Sequence, residues 1–72
     1  MDAVDVLIHI LAETDGPITR SQILSAPDWA DRPDRILVNA ARDAQDSGLI
    51  QQLNYGTYEL TDAGRVHAAA LA

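Results

Sequence analysis

Three side chains in the middle of the chain have the types and spacing to read base edges in DNA: Arg35, Asn39 and Arg42. The i, i+4, i+7 spacing places them on one face of a helix. In the major groove, arginine can pair bidentately with guanine, and asparagine can pair in the same way with adenine. The alternative is a solvated face on which both arginines are neutralised by nearby aspartates, namely Asp31, Asp34, Asp43 and Asp46.

Further polar residues could hold the phosphate backbone. Arg20 and Ser21 open a predicted short helix, whose free backbone N–H groups favour an anion, although an ordinary capped helix start explains them equally well. Arg32 could contact a phosphate or pair with Asp28 or Asp31. The remaining candidate DNA contacts lie in a predicted hairpin: Gln52, Asn54 and Tyr55.

Three apolar residues of the same region favour a protein partner if they are exposed. Trp29 either closes a small core or anchors a partner, and the closing role is the favoured interpretation. Ile36 and Val38 flank the predicted inward face of the third helix, where an exposed apolar side chain would indicate protein docking.

The sequence shows no signature of catalysis or of a bound cofactor. It contains no nucleophile elbow, no phosphate-binding glycine loop and no metalloprotease helix motif. Asp5, His9 and Glu13 stand at i, i+4, i+8, a spacing compatible with metal ligands, but a solvated charged face is the favoured interpretation. We therefore expect neither an enzyme nor a metal site, and we expect His67 to face solvent.

Two helices are predicted ahead of the arginine-containing segment. The first has Asp2 as its cap, stops at residues 15–17, Asp-Gly-Pro, and carries an apolar stripe formed by Val4, Leu7, Ile8 and Leu11. The second begins with a capping box, in which Thr19 and Gln22 satisfy each other's backbone donors. It cannot pass Pro27 undisturbed, and residues 28–32 are predicted to be a connecting loop.

The third helix and the elements after it are also marked by local signals. The third helix is predicted over 33–47, with Pro33 in its first turn and Gly48 as a left-handed stop that folds Leu49 back onto Ala44. Its inward face consists of Leu37, Ala40, Ala41 and Ala44. Strands at 49–53 and 57–60 flank a glycine-containing turn, and Thr61 can cap a last helix.

The order helix, helix, helix, hairpin, helix resembles that of winged helix-turn-helix domains of the transcriptional-regulator type. The resemblance is carried by the Gly-Leu-Ile of residues 48–50 and by residues 56–65, Gly-Thr-Tyr-Glu-Leu-Thr-Asp-Ala-Gly-Arg, which are similar to the second wing strand and the entry of a closing helix. The resemblance implies an α+β, mainly α fold with the third helix as the DNA-reading element. The hairpin departs from DNA-binding members because it has no Arg or Lys.

Composition sets the wider expectations. With 72 residues and no cysteine, the chain is expected to be a single domain over 1–72 with a small core, for which homodimerisation would add burial. No segment predicts a membrane span or a signal peptide, so a cytoplasmic protein is expected. The net charge of −6 opposes phosphate binding, but four of the five arginines fall within 20–42. Two hypotheses follow: a small DNA-binding regulator, or an acidic protein-interaction module that binds no DNA.

Overall fold

A computed structural model describes residues 2–14 and 16–71. Within these ranges the chain forms four α-helices, one 3-10 helix and three short strands, an α+β arrangement that is mainly helical. In chain order the elements are α1 (Ala3–Ala12), β1 (Ile18–Thr19), α2 (Arg20–Ser25), the 3-10 helix (Pro27–Trp29), α3 (Asp34–Asp46), β2 (Ile50–Asn54), β3 (Thr57–Leu60) and α4 (Asp62–Leu71).

The first helix begins where its cap predicts. The side chain of Asp2 accepts a hydrogen bond from the backbone N–H of Asp5 at 2.9 Å, which satisfies one of the free donors of the first turn. The predicted apolar stripe is buried at Leu7, Ile8 and Leu11, and α1 packs against both α3 and α4. Of the predicted stop, Asp15 lies outside the described residues, while Gly16 has a positive φ of 100°.

The second helix carries the predicted capping box. The backbone N–H of Thr19 donates to Gln22 Oε1 at 2.8 Å, and the backbone N–H of Gln22 donates to Thr19 Oγ1 at 3.2 Å. The sequence did not predict that Ile18 and Thr19 also pair with the hairpin as β1. The predicted loop at 28–32 is helical in part, since the 3-10 helix extends through Trp29.

The third helix ends as its glycine predicts. Gly48 has a φ of 75°, the Leu49 N–H donates to Ala44 O at 2.9 Å, and the Gly48 N–H donates to Gln45 O at 3.0 Å. This pair of bonds is a Schellman motif, and it directs the chain from α3 straight into β2. The buried side of α3 is the predicted one: Leu37, Ala40, Ala41 and Ala44.

The three strands form one antiparallel sheet in the order β1-β3-β2. Ile18 pairs with Tyr58 at one side of β3, and Ile50 pairs with Leu60 at the other. The register of the hairpin shifts between Gln52 and Asn54, which is the position of an irregularity such as a bulge. The strands after α3 therefore form a hairpin that is anchored to the first half of the chain by β1.

The last helix is fixed by a close approach to the end of α3. The hydroxyl of Thr61 accepts from the Gly64 N–H at 3.1 Å and donates to Gly48 O at 2.6 Å, while the Thr61 N–H donates to Leu49 O at 3.0 Å. A Cβ on Gly64 would lie only 1.9 Å from Leu49 O. Glycine at this position is therefore required by packing and not by backbone conformation.

A single core joins the helices to the sheet. Its largest fully buried side chains are Trp29, Leu7, Ile8, Ile23 and Leu37, and the sheet adds Ile18, Ile50, Tyr58 and Leu60. Among the described residues no polar or charged residue is buried. None of the helices within these ranges has the length and apolar character needed to cross a bilayer.

Candidate nucleic-acid interface

The arginine-containing face of α3 points away from the core. Arg35, Asn39 and Arg42 are all exposed, and they lie opposite the buried Leu37 and Ala44 on the helix. Among the residues that the structure describes, no carboxylate lies within ion-pair distance of Arg35 or Arg42. Neither guanidinium is therefore held in a direct ion pair by one of the four nearby aspartates.

A groove of about 290 Å³ runs between α3 and the hairpin. Arg42 and Val38 line it from α3, Gln52 and Tyr55 line it from the hairpin, and Arg20 lines it from the start of α2. The fold thus brings five of the sequence-predicted site residues to one concave surface. Asp46, from the last turn of α3, also lines the groove and contributes one negative charge beside the two arginines.

Tyr55 is the most prominent side chain of this surface. It lies in the hairpin turn next to Gly56, whose φ of 78° permits the tight reversal, and it is 92% exposed. A phenol ring that projects from a turn beside two arginines can stack on a base or a sugar, and its hydroxyl can hydrogen-bond a phosphate.

Arg20 is partly engaged within the chain. Its Nη2 lies 3.6 Å from Asp34 Oδ2, and the Asp34 side chain is largely exposed. An exposed ion pair of this length contributes little stability, on the order of 0–1 kcal/mol. Arg20 can therefore exchange Asp34 for a phosphate at small cost.

Arg32 has a structural role that the sequence did not predict. Its Nη1 donates to the carbonyl of Trp29 at 2.7 Å and to that of Asp28 at 3.3 Å, and the guanidinium lies 5.6 Å from the centre of the Trp29 ring. The Trp29 indole N–H in turn donates to Arg32 O at 2.9 Å. These contacts hold the 3-10 helix in place, so the interpretation of Arg32 as a phosphate ligand is not supported by its surroundings.

The other predicted contact residues do not line this groove. Asn39 borders a separate hollow between α3 and the start of α1, together with Ile36 and Asp43. Ser21 and Asn54 are exposed. Asn39 and Arg42 therefore lie toward opposite sides of the exposed face of α3, and a ligand must span the width of that face to contact both.

The residues named for a protein partner are divided by the structure. Trp29 is completely buried, with 0% exposure, so it closes the core and presents no surface to a partner. Ile36 is partly buried against the core, and Val38 is 41% exposed at the edge of the groove. Only Val38 among the three presents a substantial apolar surface.

Two histidine contacts lie outside the groove. His67 Nε2 lies 3.0 Å from Asp5 Oδ1 and joins α4 to α1, and the side chain is 39% exposed, so the expectation that His67 faces solvent is confirmed only in part. His9 Nε2 lies 3.2 Å from Glu13 Oε1 and 3.5 Å from Asp28 Oδ2. The i, i+4, i+8 set of the sequence is thus split, because Asp5 pairs with α4 while His9 and Glu13 meet Asp28.

Comparison of the chain with protein-family models, with curated proteins and with solved structures gave no match.

Proposed function

We propose that this domain is a winged helix that binds double-stranded DNA through α3 and the β2–β3 hairpin. The observation that carries the proposal is the exposure of Arg35 and Arg42 on one face of α3, without an ion-pair partner among the described residues. The element order and the strand order β1-β3-β2, with a hairpin directly after the third helix, support this fold.

In this arrangement the exposed face of α3 enters the major groove. Arg35 and Arg42 contact base edges or phosphates, with guanine as the favoured base. Asn39 contacts adenine from the side of this face that lies toward α1. The hairpin follows the DNA backbone with uncharged groups, chiefly Gln52 and Tyr55. The DNA-contact set predicted from the sequence is retained except for Arg32, whose guanidinium is committed to the 3-10 helix.

The charge of the chain limits the electrostatic contribution to binding. The net charge is −6, and the proposed interface contains three arginines: Arg20, Arg35 and Arg42. If all three contact phosphates, the slope of log affinity against log salt is about −2.7, and it is smaller if Arg35 and Arg42 contact bases. Binding is therefore expected to be weak and moderately salt-dependent, and two half-sites bound by a homodimer would strengthen it.

The test is a fluorescence-anisotropy titration of a labelled duplex of mixed sequence at several salt concentrations. Replacement of Arg42 by alanine should weaken binding roughly 5- to 150-fold, because a bidentate arginine–base pair is worth about 1–3 kcal/mol. Arg65→Ala is the matched control, since it removes the same charge from an exposed site on α4. Equal losses in the two variants would attribute binding to overall charge, and no binding at low salt would refute the proposal.

A second candidate function is docking of a protein at the same groove. It is favoured by the net charge of −6 and by two exposed apolar side chains, Tyr55 and Val38, at the groove. The partner chemistry that fits the groove is an apolar anchor, because the charged side chains that line it are two arginines and one aspartate. A peptide that carries such an anchor should then bind, with Tyr55→Ser abolishing the interaction, whereas in the DNA proposal Arg42→Ala has the larger effect.

A further inference from the structure

A mixed nitrogen–oxygen cluster lies on the surface where the end of α1 meets the 3-10 helix. It consists of His9 and Glu13, one helical turn apart, and Asp28 from the 3-10 helix. Their ligand atoms all lie within 4.8 Å of one another. We propose that these three side chains bind a divalent transition-metal ion of the zinc class, independently of the DNA-binding proposal.

The distances match the edges of a metal coordination polyhedron. Zinc binds histidine nitrogen and carboxylate oxygen at about 2.0–2.2 Å in tetrahedral geometry, which separates neighbouring ligand atoms by about 3.3–3.5 Å. His9 Nε2 lies 3.2 Å from Glu13 Oε1 and 3.5 Å from Asp28 Oδ2. Two of the three ligand separations are therefore close to these values, and the third, between the carboxylate oxygens of Glu13 and Asp28, is within 4.8 Å.

The chemistry of the imidazole supports a cation at this point. One ring nitrogen has either one proton or one lone pair, so it cannot form two well-directed hydrogen bonds to two carboxylates. His67 Nε2 forms a single hydrogen bond to Asp5, whereas His9 Nε2 has two carboxylate oxygens at ion-pair distance. A metal ion between the three atoms uses the nitrogen lone pair and offsets the charge of both carboxylates.

The supporting elements hold the ligands in place while leaving the site open. Glu13 follows α1 directly as its C-cap, and Asp28 belongs to the 3-10 helix that Trp29 and Arg32 fix to the body of the molecule. The side chains of His9, Glu13 and Asp28 are 44%, 57% and 51% exposed. An ion can therefore enter from solvent, and water completes its coordination, as in zinc sites with three protein ligands.

Metal binding should stabilise the fold because the ligands come together only in the folded chain. At a free zinc concentration about 100 times the dissociation constant, the melting temperature of this small domain should rise by roughly 10–20 °C. Magnesium at the same concentration should leave the melting temperature unchanged, because it prefers an all-oxygen octahedral environment.

The experiment is thermal unfolding followed by circular dichroism, with and without zinc, together with calorimetric titration at pH 7.5, where free imidazole is largely neutral. His9→Gln and Asp28→Asn should abolish the zinc-dependent rise. Their controls are His67→Gln and Asp31→Asn, which make the same changes outside the cluster and should retain it. Each variant is compared with its own metal-free melting temperature, so a loss of basal stability does not obscure the result.

The expected result is one zinc ion per chain, with the melting-temperature rise lost in His9→Gln and kept in His67→Gln. A visible absorption band on addition of Co²⁺ that is absent in His9→Gln would support the same ligand set. The proposal is overturned if zinc produces no shift, if His9→Gln keeps the shift, or if the two histidine variants lose it equally. In those cases His9 forms only ion pairs with its carboxylate neighbours.

Discussion

Replacement of Gly64 by alanine tests how α4 is held against the rest of the fold. Gly64 is helical, so alanine alone would favour the helix by about 1 kcal/mol. The new Cβ, however, would lie 1.9 Å from Leu49 O and 3.0 Å from Leu60 Cδ2, and real Cβ atoms essentially never approach a neighbour within 3.0 Å. The helix and Leu49 would have to move apart by at least about 1 Å to make room for the methyl group. Alanine at this position therefore overpacks a tight contact.

The free-energy cost of this separation has contributions from overpacking and from two weakened hydrogen bonds. Overpacking costs about 1–3 kcal/mol. Two hydrogen bonds at the junction weaken, from Thr61 N–H to Leu49 O and from the Thr61 hydroxyl to Gly48 O, at about 1 kcal/mol each. After subtraction of the helical preference, the free energy of unfolding should fall by about 3 kcal/mol, which lowers the melting temperature by roughly 15 °C.

Urea and thermal unfolding by circular dichroism measure this loss, and Gly48→Ala provides the matched comparison. Gly48 has a φ of 75° with nothing within 4 Å of an added Cβ, so alanine there introduces backbone strain without a clash and should cost about 1 kcal/mol. Gly64→Ala should therefore be the more damaging of the two. A Gly64→Ala variant as stable as the unmodified protein would refute the close packing of α4 on the α3–β2 junction.

Two further substitutions test the elements around α2. Trp29→Phe removes the indole N–H that donates to Arg32 O and leaves space in the core. The free energy of unfolding, measured with urea, should therefore fall by about 2–3 kcal/mol. An unchanged value would contradict the role of Trp29 in closing the core. Thr19→Ala removes the N-cap of α2 and should lower the free energy of unfolding by about 1 kcal/mol. In a double-mutant cycle with Gln22→Ala the two losses should be less than additive, because the two side chains form one capping box. Strict additivity would argue against the reciprocal hydrogen bonds.

The local features of the fold were predictable because they depend on residues close together in the sequence. The Asp2 cap, the Thr19–Gln22 capping box and the glycine stop at Gly48 each involve hydrogen bonds that span three to five residues. The buried side of α3 was predictable for the same reason, since the helical period fixes which of its residues share a face.

Part of the candidate interface was also predictable. The exposure of Arg35 and Arg42 follows from the apolar period of α3, and the position of Tyr55 in a turn follows from the glycine beside it. The groove that unites Arg42 with Arg20 and Tyr55 was not predictable, because it depends on how the hairpin packs beside α3.

Contacts between residues far apart in the sequence were decided only by the tertiary structure. The two-residue strand β1 exists because Ile18 and Thr19 meet β3 some forty residues later, and no local propensity indicates it. The same holds for the contact between His67 and Asp5 and for the carboxylate of Asp28 beside His9.

The sequence by itself determined the four α-helices, the caps of α1, α2 and α4, the hairpin and the side of α3 that faces outward, because periodicity and capping act within a few residues. The tertiary structure alone decided that Gly64 lies against Leu49 O and that Asp28 completes a cluster with His9 and Glu13. The physical reason is that side-chain partners across elements are set by packing of the whole core, which local sequence does not specify.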